Sequence, residues 1–154
     1  HTNEIAQSES YLGHKWCNYW FHVEHLNGEN GKMSKSEGGF VTVDSLKEKG
    51  YSPLAYRFFC LMSHYGKPLV FSFDRLDGAV SAYDKLKEKV LLLKNNVALK
   101  DDLLISEQGQ ELYNKFKAAI EDDLNTSLAI TALYDVSKIV FTFIYLRELL
   151  LALI

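Results

Sequence analysis

Positive charge is not in excess in this sequence: 17 Lys and Arg stand against 20 Asp and Glu, a formal net charge of −3. A protein that grips nucleic acid by bulk charge is basic, so any such grip here is local. Cysteine is scarce. Cys17 and Cys60 form neither a close-spaced pair nor a disulfide framework, which favours a reducing, cytoplasmic setting. Long apolar runs are also missing. The longest, Phe141 to Ile154, is shorter than the ~20 apolar residues of a typical span. Arg147 and Glu148 interrupt it, so a buried helix is expected there and no membrane partner.

What remains is the composition of a folded protein. Hydrophobic residues make up 47% and charged residues 24% of the 154 positions, enough for a packed core in one sizeable domain or two small ones. The sequence opens at His1 without methionine and stops at Ile154 inside an apolar pattern with no capping signal. The expectation is a piece of a longer polypeptide.

Local patterns divide the chain. Residues 1–12 suit a short helix that Gly13 stops. The stretch WCNYWFHVEHL, Trp16 to Leu26, is aromatic and partly alternating, which predicts a strand. NGENG, Asn27 to Gly31, predicts a turn or hairpin. Phe40 to Val43 reads as extended. Thr42 or Asp44 caps a short helix that Gly50 ends, and Ser52-Pro53 starts another, with Leu54, Phe58, Leu61 and Met62 at helical spacing. His64 to Pro68 breaks it.

Ser72 or Asp74 begins a long helix with Leu76, Val80, Tyr83, Leu86, Val90 and Leu93 as one stripe. Lys85, Lys87, Lys89 and Lys94 decorate its other faces; each is a candidate phosphate contact or a solvated charge. Ser106 caps a further helix carrying Leu112, Phe116, Ala119 and Ile120. Asn125-Thr126 caps the last, with Ala129, Leu133, Val136, Val140 and Phe143. Such helices bury their stripes only against one another, so a bundle is expected. No strand longer than a few residues is expected beyond Asp44. The fold class is mostly α, in three segments: 1–43, mixed and loop-rich; 44–73, a connector; 74–154, a helical bundle.

The chemistry concentrates in GKMSKSEGGF, Gly31 to Phe40. Lys32 and Lys35 place two ammonium groups on a glycine-flanked loop, and Ser34 and Ser36 add hydroxyl donors. Lysine suits phosphate oxygens, and positioned cations stabilise charge that develops as a phosphoryl bond breaks. A loop of this make-up opens for substrate and closes for reaction. The plain alternative for any K-x-x-K is a solvated surface turn.

KMSKS, Lys32 to Ser36, matches the signature loop of class I aminoacyl-tRNA synthetases letter for letter, a resemblance to that class. HTNEIAQSE (His1 to Glu9), CNYWFH (Cys17 to His22), LMSHY (Leu61 to Tyr65) and DDLNTSLA (Asp122 to Ala129) resemble the cysteinyl-tRNA synthetase family in the same order. The resemblance covers nearly the whole chain. It implies the end of a Rossmann-type α/β catalytic domain with the KMSKS loop, a connector that contacts the tRNA stem, and a tRNA-binding bundle. It implies catalytic roles for Lys32 and Lys35 and ATP binding by Lys32, Met33, Ser34, Lys35 and Ser36. The implied partners are tRNA(Cys), cysteine, ATP with magnesium, and the N-terminal half of the same enzyme.

The family also binds one zinc ion that recognises the substrate thiolate, a ligand zinc prefers to a serine hydroxyl. The resemblance assigns Glu4 to that ion. His1 matches the second histidine of the family's HHxNE, so it is a neighbour of the site or a ligand. The other ligands are expected off this chain, and neither Cys17 nor Cys60 falls where a ligand cysteine belongs. The plain reading of Glu4 is a carboxylate at a helix N-terminus. Trp16, Trp20 and His22 line a substrate pocket or, more plainly, fill core. His64 and Tyr65 touch RNA or play a structural part; His14 and His25 have no partner at ligand spacing.

Two departures stand out. Glu37, Gly38 and Gly39 follow KMSKS where the family often has LGN, and Gly66 stands where it often has arginine. A HIGH-like motif is missing, so this segment alone is expected not to activate cysteine. Two other readings stay open: a cysteine ligase with an amino-sugar acceptor, as in mycothiol biosynthesis, and a non-catalytic RNA-binding paralogue.

Overall fold

The computed structural model describes residues 1–29, 31–32, 41–95 and 107–138. Helix α1 (Thr2–Leu12) ends as its sequence predicts: Gly13 adopts φ 70°, and its N–H reaches Glu9 O. Strands β1 (Leu26–Gly28) and β2 (Gly31–Lys32) form an antiparallel hairpin pairing Asn27 with Lys32 and Gly28 with Gly31. Gly31 sits at φ 106°, where a side chain is strained. The expected hairpin at NGENG is therefore present.

The strand expected over Trp16 to Leu26 is not. Residues 13–25 carry no regular structure, and β1 begins only at Leu26. Alternation makes a strand only beside a partner. Upstream of β1 the chain finds single bonds instead, Glu24 N–H to Tyr65 O (2.9 Å) and Leu69 N–H to His25 O (3.4 Å).

Helix α2 (Val43–Glu48) resolves the choice between Thr42 and Asp44. Thr42 is the N-cap; its Oγ1 accepts from Ser45 N–H (3.1 Å), and Ser45 Oγ accepts from Thr42 N–H (3.0 Å). Val43, expected to be extended, is the first residue of the helix. Helix α3 (Pro53–Leu61) starts where Ser52 Oγ accepts from Leu54 N–H. Its buried face differs from the expected stripe. Ala55, Phe58 and Phe59 are buried, whereas Leu54, Leu61 and Met62 are exposed. The face that meets β3 and α4 lies one position away from the one that spacing suggested.

Strand β3 (Leu69–Phe71) pairs in parallel with β1, Leu26 opposite Leu69, giving the sheet order β2-β1-β3. Parallel neighbours need a crossover, and α2 and α3 supply it. Helix α4 (Phe73–Asn95) follows, with Ser72 Oγ accepting from Arg75 N–H. Leu46, Phe58, Phe59, Phe71, Leu76 and Ala79 form the core, so α2, α3, β3 and the first turns of α4 share one interior. Val80, Tyr83 and Leu86 of the expected stripe pack against it, while Val90 is exposed.

Helix α5 (Glu107–Glu121) buries Leu112 and Ala119. A turn then leads into α6, helical over 126–138. Asp123 and Leu124 both have positive φ, 50° and 53°, a left-handed conformation that costs a non-glycine residue ~1–2 kcal/mol. Asn125 Oδ1 accepts from Leu128 N–H (3.3 Å), the cap the sequence predicts. Helix α6 buries Ala129 and Ala132 while Leu133 is exposed. It docks on α4: Tyr134 Oη donates to Ala82 O (3.0 Å), and Lys89 Nζ donates to Ser137 Oγ (3.1 Å). Lys89 is thus tied to a neighbouring helix. The apolar run from Phe141 lies outside the described residues, as does the Ser106 cap.

Candidate functional site

The lysine loop leaves a fixed base. Lys32 closes β2, its backbone paired with Asn27, and on the far side of the loop Thr42 caps α2 through its capping box. Met33, Ser34, Lys35 and Ser36 lie outside the described residues, as does Glu37. The hairpin that delivers the loop is held from its other side by β3 through Leu26, Asn27 and Gly28.

At the other candidate site, His1 Nδ1 contacts Glu4 Oε2 across one turn at the start of α1. His1 Nε2 lies 3.1 Å from His22 Nδ1. The His1 ring also meets Trp20, centroids 4.8 Å apart, and Trp20 meets Trp16 edge-on at 5.3 Å. On sequence, Trp16, Trp20 and His22 are pocket or core candidates, and Glu4, with His1 beside it, is a metal candidate. The structure brings all but Trp16 directly around His1. None of the three aromatic residues belongs to the buried core, and Trp16 is 47% exposed. His22 as a partner of His1 was not foreseen, because the two are far apart in sequence.

Zinc prefers four ligands in a tetrahedron. The side chains of His1 and Glu4 are half-exposed and already pair with each other. Among the described residues, no group of three or more His, Cys, Asp or Glu is placed to hold a metal. Cys17 Sγ donates to Tyr19 O (2.8 Å). His14 Nδ1 bonds to Lys15 O (2.9 Å), and His25 stands near Glu24. The donors described here do not complete a zinc site among themselves.

Cys60 lies half-buried on α3, and burial raises its thiol pKa while a hydrogen bond from Tyr56 offsets part of the rise. Burial, with Cys60 as the lesser cause, pushes the Tyr56 phenol to about 12. Both groups therefore stay neutral near pH 7, and Cys60 is no thiolate nucleophile there. His64 and Tyr65, candidates for RNA contact or a structural part, bond within the protein. Tyr65 Oη donates to Asp123 Oδ1 (2.5 Å), and His64 Nε2 lies 3.0 Å from Asp123 O. Among the described residues no helix is long and apolar enough to cross a membrane.

Comparison with known proteins gives these positions a context. Residues 1–81 match the model of the tRNA synthetases class I (C) catalytic domain, and residues 115–148 match the DALR domain. Cysteine–tRNA ligase of Treponema denticola is 39% identical over 150 residues, 86% of this chain and 30% of that protein. Cysteine–tRNA ligase of Shouchella clausii is 39% identical over 142 residues, 90% of this chain and 30% of that protein. For Thermococcus onnurineus the identity is 38% over 148 residues, 91% of this chain and 31% of the relative. The chain thus spans about 30% of the length of these curated relatives. With over half its residues in that catalytic domain and its KMSKS signature inside the match, the chain belongs to the cysteinyl-tRNA synthetase family of class I tRNA synthetases.

Proposed function

We propose that this chain is part of a cysteine–tRNA ligase. The complete enzyme joins the cysteine carboxylate to the α-phosphate of ATP, releases pyrophosphate, and passes the cysteine to the terminal adenosine of tRNA(Cys). One observation carries the reading: a catalytic-domain match containing KMSKS shares this chain with a DALR-domain match. Lys32 and Lys35 offset the charge that builds on the phosphates as pyrophosphate leaves, and Met33, Ser34 and Ser36 complete the ATP-binding loop. The partners are tRNA(Cys), cysteine, ATP with magnesium, and the N-terminal half of the same enzyme, in the cytoplasm. Segments 1–43, 44–73 and 74–154 serve as catalytic end, stem-contact connector and tRNA-binding bundle. Glu4 contributes one ligand to a zinc ion, with His1 beside it.

Cysteine-dependent ATP–pyrophosphate exchange by the complete enzyme tests the loop. Lys35→Ala is expected to slow exchange by about 10²–10³-fold, the scale of losing one positioned donor to developing charge, with cysteine binding little changed. Exchange at the wild-type rate removes the assigned role. Supplying radiolabelled cysteine with tRNA or with an amino sugar identifies the acceptor. Label on the sugar alone replaces this reading with the amino-sugar ligase.

A further inference from the structure

The turn between α5 and α6 is gripped from outside by three consecutive residues of the α3–β3 turn. Thr126 Oγ1 donates to Ser63 O (3.3 Å), His64 Nε2 meets Asp123 O (3.0 Å), and Tyr65 Oη donates to Asp123 Oδ1 (2.5 Å). The His64 tautomer is fixed. Its Nδ1 accepts from Gly66 N–H (3.1 Å), so the proton sits on Nε2 and points at Asp123 O. The ring stacks on Tyr65, centroids 4.7 Å apart. A Cβ at Gly66 would come within 3.3 Å of His64 Nδ1, so glycine gives that ring its space.

Two further observations make this more than a surface contact. Asp123, which takes two of these bonds, and its neighbour Leu124 are the two non-glycine residues in the left-handed conformation among the described residues. Such strain persists only where the surroundings over-determine it. Tyr65 also faces the other way: its ring meets Phe21 at 4.2 Å, and its carbonyl accepts from Glu24 N–H (2.9 Å), just before β1. One residue thus joins the approach to the KMSKS hairpin, the connector and the α5–α6 turn. A cavity of about 370 Å³ opens at this junction, lined in part by Phe21, Cys60, Leu61 and Leu124. Apolar contact is incomplete there, so the polar bonds set the position. The raised pKa of the Tyr65 phenol, caused first by its bond to Asp123, keeps it a donor near neutrality.

We propose that His64 and Tyr65 are positioning residues that fix the α5–α6 hairpin against the catalytic end of the chain, and so govern use of the tRNA acceptor but not nucleotide chemistry. The proposal rests on the cysteine–tRNA ligase reading. Its test uses the complete enzyme carrying Tyr65→Phe, which keeps the ring and removes the hydroxyl. Expected are an increase of about tenfold in KM for tRNA, the scale of one lost hydrogen bond, and cysteine-dependent exchange within about twofold of wild type. Faster hydrogen exchange is expected at the Leu124 and Asn125 amides. Asp123→Asn, which keeps an acceptor oxygen, should restore most of what Asp123→Ala loses.

An unchanged KM for tRNA with unchanged amide exchange overturns the proposal. Parallel loss of exchange and charging also overturns it, since that marks general damage. A wild-type enzyme without cysteine-dependent exchange sinks the functional reading alone, and the amide measurement still decides whether the clamp exists.

Discussion

Residues 13–25 and residues 43–86 are both rich in aromatic and aliphatic side chains, yet they use them in opposite ways. In the later region Phe58, Phe59 and Phe71 are buried, and the Phe59 and Phe71 rings meet edge to face at 5.9 Å. In the earlier one Tyr19 is 90% exposed, Phe21 60% and Val23 62%. The difference does not lie in composition. It lies in partners: α2, α3, β3 and α4 close around one interior, whereas the chain before β1 is tied down by isolated bonds and ring contacts. Apolar residues fold a segment only when another surface is there to receive them.

That contrast can be broken by measuring the chain's urea unfolding. The largest effect is expected at Leu76, which is fully buried. Leu76→Ala should cost ~2–5 kcal/mol through lost burial and the cavity left behind. A smaller loss, ~1 kcal/mol, is expected for Thr42→Ala, which deletes the capping oxygen of α2. Smallest is Tyr19→Ala, expected within ~0.5 kcal/mol because the side chain is almost wholly in water. Should Tyr19→Ala match Leu76→Ala, the division into a packed and an unpacked region is mistaken.

The sequence showed most plainly what depends on near neighbours. Ser52-Pro53, Gly13 and the Asn125 cap work through residues a few positions away, and each appears as expected. The NGENG hairpin is local in the same sense. The strand expected at Trp16 to Leu26 failed because strand formation depends on a distant partner, and only its last residue, Leu26, has one, in Leu69. Of the stripe Leu54, Phe58, Leu61 and Met62 only Phe58 is buried, for a related reason: spacing shows that α3 has an apolar face, but which face is covered depends on β3 and α4. The lysine loop was legible as a motif. The grip of His64 and Tyr65 on Asp123 was not, since no local pattern marks a bond between residues 58 and 59 positions apart.

The pairing of Leu26 with Leu69 also bears on how the protein is made. A ribosome releases its product from the N-terminus, so the hairpin bearing the signature lysines emerges well before β3 does. Until Phe71 has left the exit tunnel, one edge of β1 lacks its β3 partner. Completion of the three-stranded sheet at the base of the lysine loop therefore waits on translation of residues about forty positions downstream of β1.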